Sequence, residues 1–257
     1  MKRQKIYILI GILIIVLLGG FFINKRYYPT SLVSPSPQIS PSDASSLSPT
    51  PTSSPSPKES PTPTTKTLPS SYLIKNFPFQ SQAPFANWDQ LHDEACEEAA
   101  IILVKWWDDS HSTISAQTMD SEILRMVDWE IKNWGSHKDL TIKETAQMAK
   151  EFYGLRLTSK YDITIADIKE EVSQNHPVIV PTAGRLLGNP YFRQPGPIYH
   201  MLVVIGYSGN NLIVQDIGTR RGEHYQYDQV ILFNAIHDWN GSPENIEQGQ
   251  KAMLVLQ

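Results

Sequence analysis

Cysteine is nearly missing from this chain: its 257 residues hold one, Cys96. A lone cysteine cannot close an intramolecular disulfide. None stands at the end of the apolar N-terminal stretch, which excludes a lipid-attachment box, and no Ala-x-Ala-like cleavage site follows it. Positive charge is scarce beyond Pro69, where 15 Lys/Arg face 24 Asp/Glu, a net of −9. An acidic region of that kind carries no electrostatic footprint for nucleic acid, so nucleic-acid partners are excluded. No phosphate-cradling glycine loop and no internal repeat is present. His92, His111, His137, His176, His224 and His237 show no zinc-type spacing such as His-x-x-x-His with a nearby acid, so neither a metal nor a cofactor is expected.

What is present divides the chain into three. Residues 1–28 contain Lys2, Arg3 and Lys5, then 18 uncharged residues from Ile6 to Ile23, then Lys25 and Arg26. As a helix, 6–23 would rise about 27 Å at 1.5 Å per residue, close to the roughly 30 Å hydrocarbon core of a bilayer. Secretory signals have apolar regions of about 7–15 residues. The longer stretch predicts an uncleaved single-pass anchor. The basic excess before it favours a cytoplasmic N-terminus and an extracytoplasmic C-terminal domain at the cell membrane. Residues 29–70 are almost entirely Pro, Ser and Thr and hold 11 of the 19 prolines, a disordered stalk with no means of building a core. Residues 71–257 are long enough for one self-sufficient domain.

Within that domain, Tyr72–Phe79 reads as extended and Ala83–Asp93 as a loop. Apolar residues at helical spacing predict helices over Ala95–Asp108, Asp120–Trp134, Thr141–Tyr153 and Thr164–Asn175. Strands are expected over Pro177–Pro181, His200–Tyr207, Asn211–Ile217, Tyr225–Phe233 and Lys251–Leu256, with a hairpin turn at Ser208-Gly209-Asn210. Helices first and strands second is the α+β pattern, N-terminal helices packed on a C-terminal antiparallel sheet.

Cys96 falls where the loop enters the first of those helices, and the positive end of the helix dipole favours thiolate there. The competing reading is a buried thiol acting as a small hydrophobe. A thiol nucleophile needs a base, a group to orient the base and donors for an oxyanion. His200 opens the His-Met-Leu-Val-Val strand and Asp216 ends its hairpin partner. Residues paired across a turn at 208–210 have numbers summing to about 418, which sets His200 near residue 218 and within reach of Asp216. Upstream, Gln82 can donate its amide alongside the Cys96 backbone N–H. Gln80, two residues earlier, is its rival and points the other way if the segment is extended. The Pro- and aromatic-rich segment 183–199 leads into His200 and is read either as a wall of a cleft or as a plain surface connection.

The order Gln82, Cys96, His200, Asp216 resembles that of the papain-like cysteine peptidases. The blocks Phe-Pro-Phe-Gln-Ser-Gln-Ala-Pro-Phe-Ala-Asn-Trp-Asp and Glu-Ala-Cys-Glu-Glu-Ala are similar to bacterial peptidase-like domains related to the bacteriocin-processing (double-glycine leader) peptidases, over Asn76–Leu256. The resemblance implies a papain-like fold and a peptide or protein substrate. It assigns Cys96 as nucleophile, His200 as base, Asp216 as its orienter and Gln82 to the oxyanion hole. Where the processing peptidases usually place a small residue, this chain has Glu97-Glu98, two carboxylates that oppose a lowered Cys96 pKa. Leader-peptide processing does not transfer, since those enzymes are fused to transporters and this chain has one span. The expected activity is thus a membrane-anchored cysteine hydrolase working through a thioester. Two alternatives stand beside it: a cell-wall peptide hydrolase or acyl transferase using the same triad, and a catalytically silent binding or adhesion domain on a stalk.

Overall fold

The computed structural model describes residues 67–256, which lie within one compact unit, Thr62–Gln257. The expected anchor over 6–23 and nearly all of the stalk over 29–70 lie outside the described residues. Among those described, no helix is long and apolar enough to cross a membrane.

The chain enters through a short strand, β1 (Ser71–Leu73), and after a loop forms a single turn, α1 (Gln90–Asp93), capped by Asp89 accepting from the His92 N–H. Three longer helices follow: α2 (Cys96–Asp108), α3 (Ala116–Trp134) and α4 (Ile142–Tyr153). Strand β2 (Leu157–Tyr161) and helix α5 (Ile165–Ser173) precede the hairpin-rich half, β3 (Val178–Ala183), β4 (Tyr199–Ser208), β5 (Asn211–Gln215) and β6 (Tyr225–Asp228). Helix α6 (Gln229–Ala235) and β7 (Ala252–Leu256) complete the unit.

Local chemistry explains the helix ends. Thr141 with Glu144, and Thr164 with Asp167, form reciprocal capping boxes, and Gly154 ends α4 in the left-handed region at φ 70°. Ser115 caps α3 by accepting from the Thr118 N–H, so that helix begins at Ala116 rather than at the expected Asp120. From Cys96 to Val104 every residue of α2 is buried, which makes it the central helix of the core rather than a two-faced surface one. Each fully buried aliphatic side chain there stabilises the fold by roughly 1.5–3 kcal/mol relative to exposure.

All strand pairings are antiparallel, in the order β2-β7-β3-β4-β5-β6, with β1 added to β4. The class is α+β. Strand β4 is the spine of the sheet, buried from Tyr199 to Tyr207, so both of its faces are covered. It meets β3 over 199–204 and β1 over 206–208, while β5 runs along its other edge. The expected pairing sum of 418 holds for Val203↔Gln215 and Val204↔Val214, and a bulge beyond Val204 changes it to 419 near the turn.

The expected loop Ala83–Asp93 ends in the helical turn α1, formed on the Asp89 cap, and two further elements differ from expectation. Tyr225–Phe233 is not one strand: Asp228 accepts from the Val230 and Ile231 N–H groups and starts α6 midway. β-branched composition favoured a strand, and the cap overrode it. Strand β2 was missed because Leu-Thr-Ser-Lys-Tyr is polar and half exposed. It sits at the sheet edge, paired with β7 alone.

Candidate active site

Cys96 is the first residue of α2, with Ala95 as its N-cap. It is 4% exposed. Its thiol donates to Glu97 Oε2 at 2.9 Å and its sulfur accepts from the Met201 backbone N–H at 3.3 Å. The first turn of α2 is thus pinned to β4 one residue from His200. Burial pushes the Cys96 thiol well up, and the Glu97 charge pushes it further. The dipole was expected to favour thiolate, but in this buried setting those two effects outweigh it.

Glu97 is itself buried. Its Oε1 accepts from the Leu140 N–H at 2.8 Å, and burial followed by the neighbouring Glu98 holds its carboxyl well above the ordinary range. Both carboxylates of the pair therefore face inward, one towards the thiol and the other, as described below, towards a separate cluster.

His200 and Asp216 meet. His200 Nε2 lies 2.9 Å from Asp216 Oδ1, and the two residues are 1% and 0% exposed. Asp216 also accepts from Tyr227 OH at 2.6 Å and Asn189 Nδ2 at 2.9 Å on Oδ2, and from the Gly218 N–H at 3.1 Å on Oδ1. Burial alone would raise this carboxyl. The hydrogen bond and charge of His200, then Tyr227 and Asn189, outweigh it and hold the pKa below the usual range. Gly218 is required by close approach: a Cβ there would sit 2.9 Å from His200 Cε1 and from Phe192 Cε1. The Phe192 ring meets the imidazole edge-on, centroids 5.5 Å apart.

Asn189 and Tyr227 were not anticipated. Tyr227 was traceable, because on β6 it pairs with Leu212 of β5 and is buried. Asn189 carried no signal beyond its place in the segment leading to His200.

Gln82 is buried beside this group. Both amide hydrogens of its Nε2 are engaged on the turn before Cys96, at 2.8 Å to His92 O and 3.1 Å to Asp93 O, while Oε1 has no partner. Gln80 instead accepts from the Ser81 N–H through Oε1.

A cleft of about 1190 Å³ opens over His200 and Gln82. Residues 190–199 run along it as one wall, Trp88 stands among the other liners, and Gly218–Arg221 close a further side. Its charges are mixed, with Arg193, Arg220 and Arg221 against Asp93, Glu94 and Asp139. Cys96 is buried and is not among the residues lining it. The structure therefore brings His200 to Asp216 and Cys96 to the start of the same strand, yet the thiol makes its hydrogen bonds to Glu97 and Met201 and none to His200.

The model of the Peptidase_C39-like family matches residues 74–242. A crystal structure from Bacillus anthracis described as a C39-like peptidase is similar over 73% of this chain and 98% of that one, at 13% identity and a TM-score of 0.48. No curated protein matched.

Proposed function

This chain belongs to the Peptidase_C39-like family, and from that premise we propose that it is a cysteine peptidase in which Cys96, His200, Asp216 and Gln82 carry the chemistry. The observation that supports this most is the buried His200–Asp216 pair at 2.9 Å, opening on a cleft and one residue from the backbone N–H that touches the Cys96 sulfur. Asp216 fixes the imidazole through Nε2, leaving Nδ1 to take a proton. Attack begins when the thiol proton leaves Glu97 for His200. The thiolate then adds to a peptide carbonyl laid in the cleft, and the Cys96 N–H with a Gln82 amide hydrogen released from the 92–93 turn holds the oxyanion. Imidazolium His200 protonates the leaving amine, and water hydrolyses the thioester with His200 again as base.

The apolar stretch 6–23 and the Pro/Ser/Thr stretch 29–70 support placement of this unit outside the cell membrane on a single-pass anchor. One observation favours a second reading, a catalytically silent domain: the thiol is held by a buried carboxylate rather than by the base.

The deciding experiment offers the full chain, in detergent, an unbiased peptide mixture and peptidoglycan fragments beside the Cys96→Ala and His200→Ala variants. Cleavage of peptides by the wild type that both variants lose supports the peptidase, and cleavage confined to peptidoglycan moves the substrate to the cell wall. Identical behaviour of all three chains, with native protein labelled by a thiol-reactive peptidyl probe no faster than unfolded protein, defeats the enzyme reading. External protease that fails to release the unit from intact cells defeats the placement.

A further inference from the structure

Glu98 follows Glu97 on α2 but turns to a different neighbourhood. It meets Glu130 of α3 and His137 of the loop after that helix, and one ligand atom from each of the three lies within 4.8 Å of the others. Glu98 is 1% and Glu130 0% exposed, and none of their four carboxylate oxygens accepts a well-formed hydrogen bond among the described residues, the Lys138 N–H and the His137 ring being the donors beside them. His137 Nε2 stands 3.3 Å from Glu98 Oε1, also without a hydrogen bond. Two buried carboxylates facing each other with only the half-buried His137 ring and a loop N–H beside them are costly, because each charge has lost its water and gained a like charge. Structures keep such groups when something not yet counted neutralises them.

We propose that Glu98, Glu130 and His137 bind one divalent first-row transition cation of the zinc class. Carboxylate oxygens and an imidazole nitrogen are all ligands of such an ion, with bonds of about 2.0–2.2 Å, and three of them leave a position for water. In a tetrahedral shell of that size the donors stand about 3.4 Å apart, so the three groups close on an ion by movements of about 1 Å. Calcium takes 6–8 oxygens and magnesium keeps several waters, and a buried three-donor site with one nitrogen suits neither. A dication also cancels the charge of both carboxylates. The site is separate from the thiol, which Glu97 contacts, and it does not depend on peptidase activity. Bound there, the ion ties the first turn of α2 to α3 and to the 135–140 loop, whose Leu140 N–H holds Glu97.

The test uses the full chain in detergent, stripped with chelator, dialysed against zinc and analysed for metal. The expected result is about one zinc per chain in the wild type and in Cys96→Ser. Zinc should also raise the melting temperature of the wild type, and excess calcium should not displace it. Changing outer-shell partners of metal sites alone typically weakens binding 10–100-fold, so His137→Ala, which removes a donor from a loop, should weaken zinc affinity by more than about 100-fold and abolish the melting shift. Glu130→Gln should do the same. A wild type that retains no more zinc than His137→Ala overturns the proposal, and so does retention by both variants at the wild-type level, which would place the ion elsewhere. If the wild type retains none and Glu130→Gln melts higher at neutral pH, the two carboxyls share a proton instead and the metal reading is wrong.

Discussion

Exchange of Glu97 for Gln keeps the shape of the side chain and removes its charge. Gln Oε1 can go on accepting from the Leu140 N–H while Nε2 faces the Cys96 sulfur as a donor, so the variant reverses the polarity seen by the thiolate. A full charge about 4 Å from the sulfur opposes ionisation by at most about 4 kcal/mol at an effective dielectric of about 20. Glu97 is itself held well above the ordinary carboxylate range by burial and by Glu98, which lessens the charge it presents. About 1.5–3 kcal/mol is therefore the expected gain, and about 1.4 kcal/mol is a tenfold change in thiolate population. Each tenfold gain is partly offset, because a less basic thiolate is about threefold less nucleophilic. Iodoacetamide at neutral pH should therefore alkylate Glu97→Gln about 3–10-fold faster than the wild type, with melting temperatures used to check that both chains are folded. If the folded variant reacts at the wild-type rate or slower, Glu97 does not restrain the thiol and the account of Cys96 given above is wrong.

Other expectations bear on different parts of the unit. Burial pushes the Asp238 carboxyl up to about 6, while Ile142 and Trp239 N–H groups bond its Oδ1. A raised carboxyl contributes stability that is present below its unfolded value near 3.9 and lost as pH rises through the folded one. Asp238→Asn should thus match the wild type at about pH 4 and exceed it at about pH 8 by about 2 kcal/mol, or roughly 4–8 °C in a melting scan; equal curves at both values would refute this. Asp216 runs the other way: its lowered pKa gives stability above the unfolded value that is lost as pH falls through the folded one. Tyr227→Phe removes its 2.6 Å bond to Asp216 and should cost about 1.5–3 kcal/mol, with acid unfolding moved to higher pH. Gly218→Ala places a methyl 2.9 Å from His200 Cε1 and Phe192 Cε1, two buried rings of which the first is held by Asp216, so the rings must shift. Peptide cleavage should fall more than about tenfold, because small displacements of a base are expensive in rate, and overpacking should cost about 1–3 kcal/mol of stability; cleavage at the wild-type rate would refute this.

Much of the fold was legible because its signals are local. Thr141 with Glu144 and Thr164 with Asp167 mark helix starts, Gly135 and Gly154 mark ends, and the Ser-Gly-Asn turn sets the β4–β5 register that brings His200 to Asp216. What stayed hidden depends on the whole molecule. Nothing near Glu97 and Glu98 says that a first turn rich in charge will be buried on all sides, since that follows from α3, β4 and the 135–140 loop closing around it. The same holds for the partners of Asp216, drawn from a loop at 189 and a strand at 227. Glu98, Glu130 and His137 obey no sequence spacing because they come from two helices and a loop. The 229–235 segment failed for the opposite reason: a strong composition signal lost to one capping aspartate.

Strand β1 has a mechanical consequence. The chain preceding Ser71 enters the unit by pairing 71–73 with 208–206, at one end of β4, and His200 stands near the other end. At about 3.3 Å per residue the two points are roughly 20–26 Å apart along the strand. A pull on the preceding segment is therefore applied to a three-residue splice, while β4 beneath it is gripped along both edges by β3 and β5. The splice is thus the first part of the sheet to meet such a load. Force on the preceding segment would enter about 20–26 Å away from the register that sets His200 against Asp216.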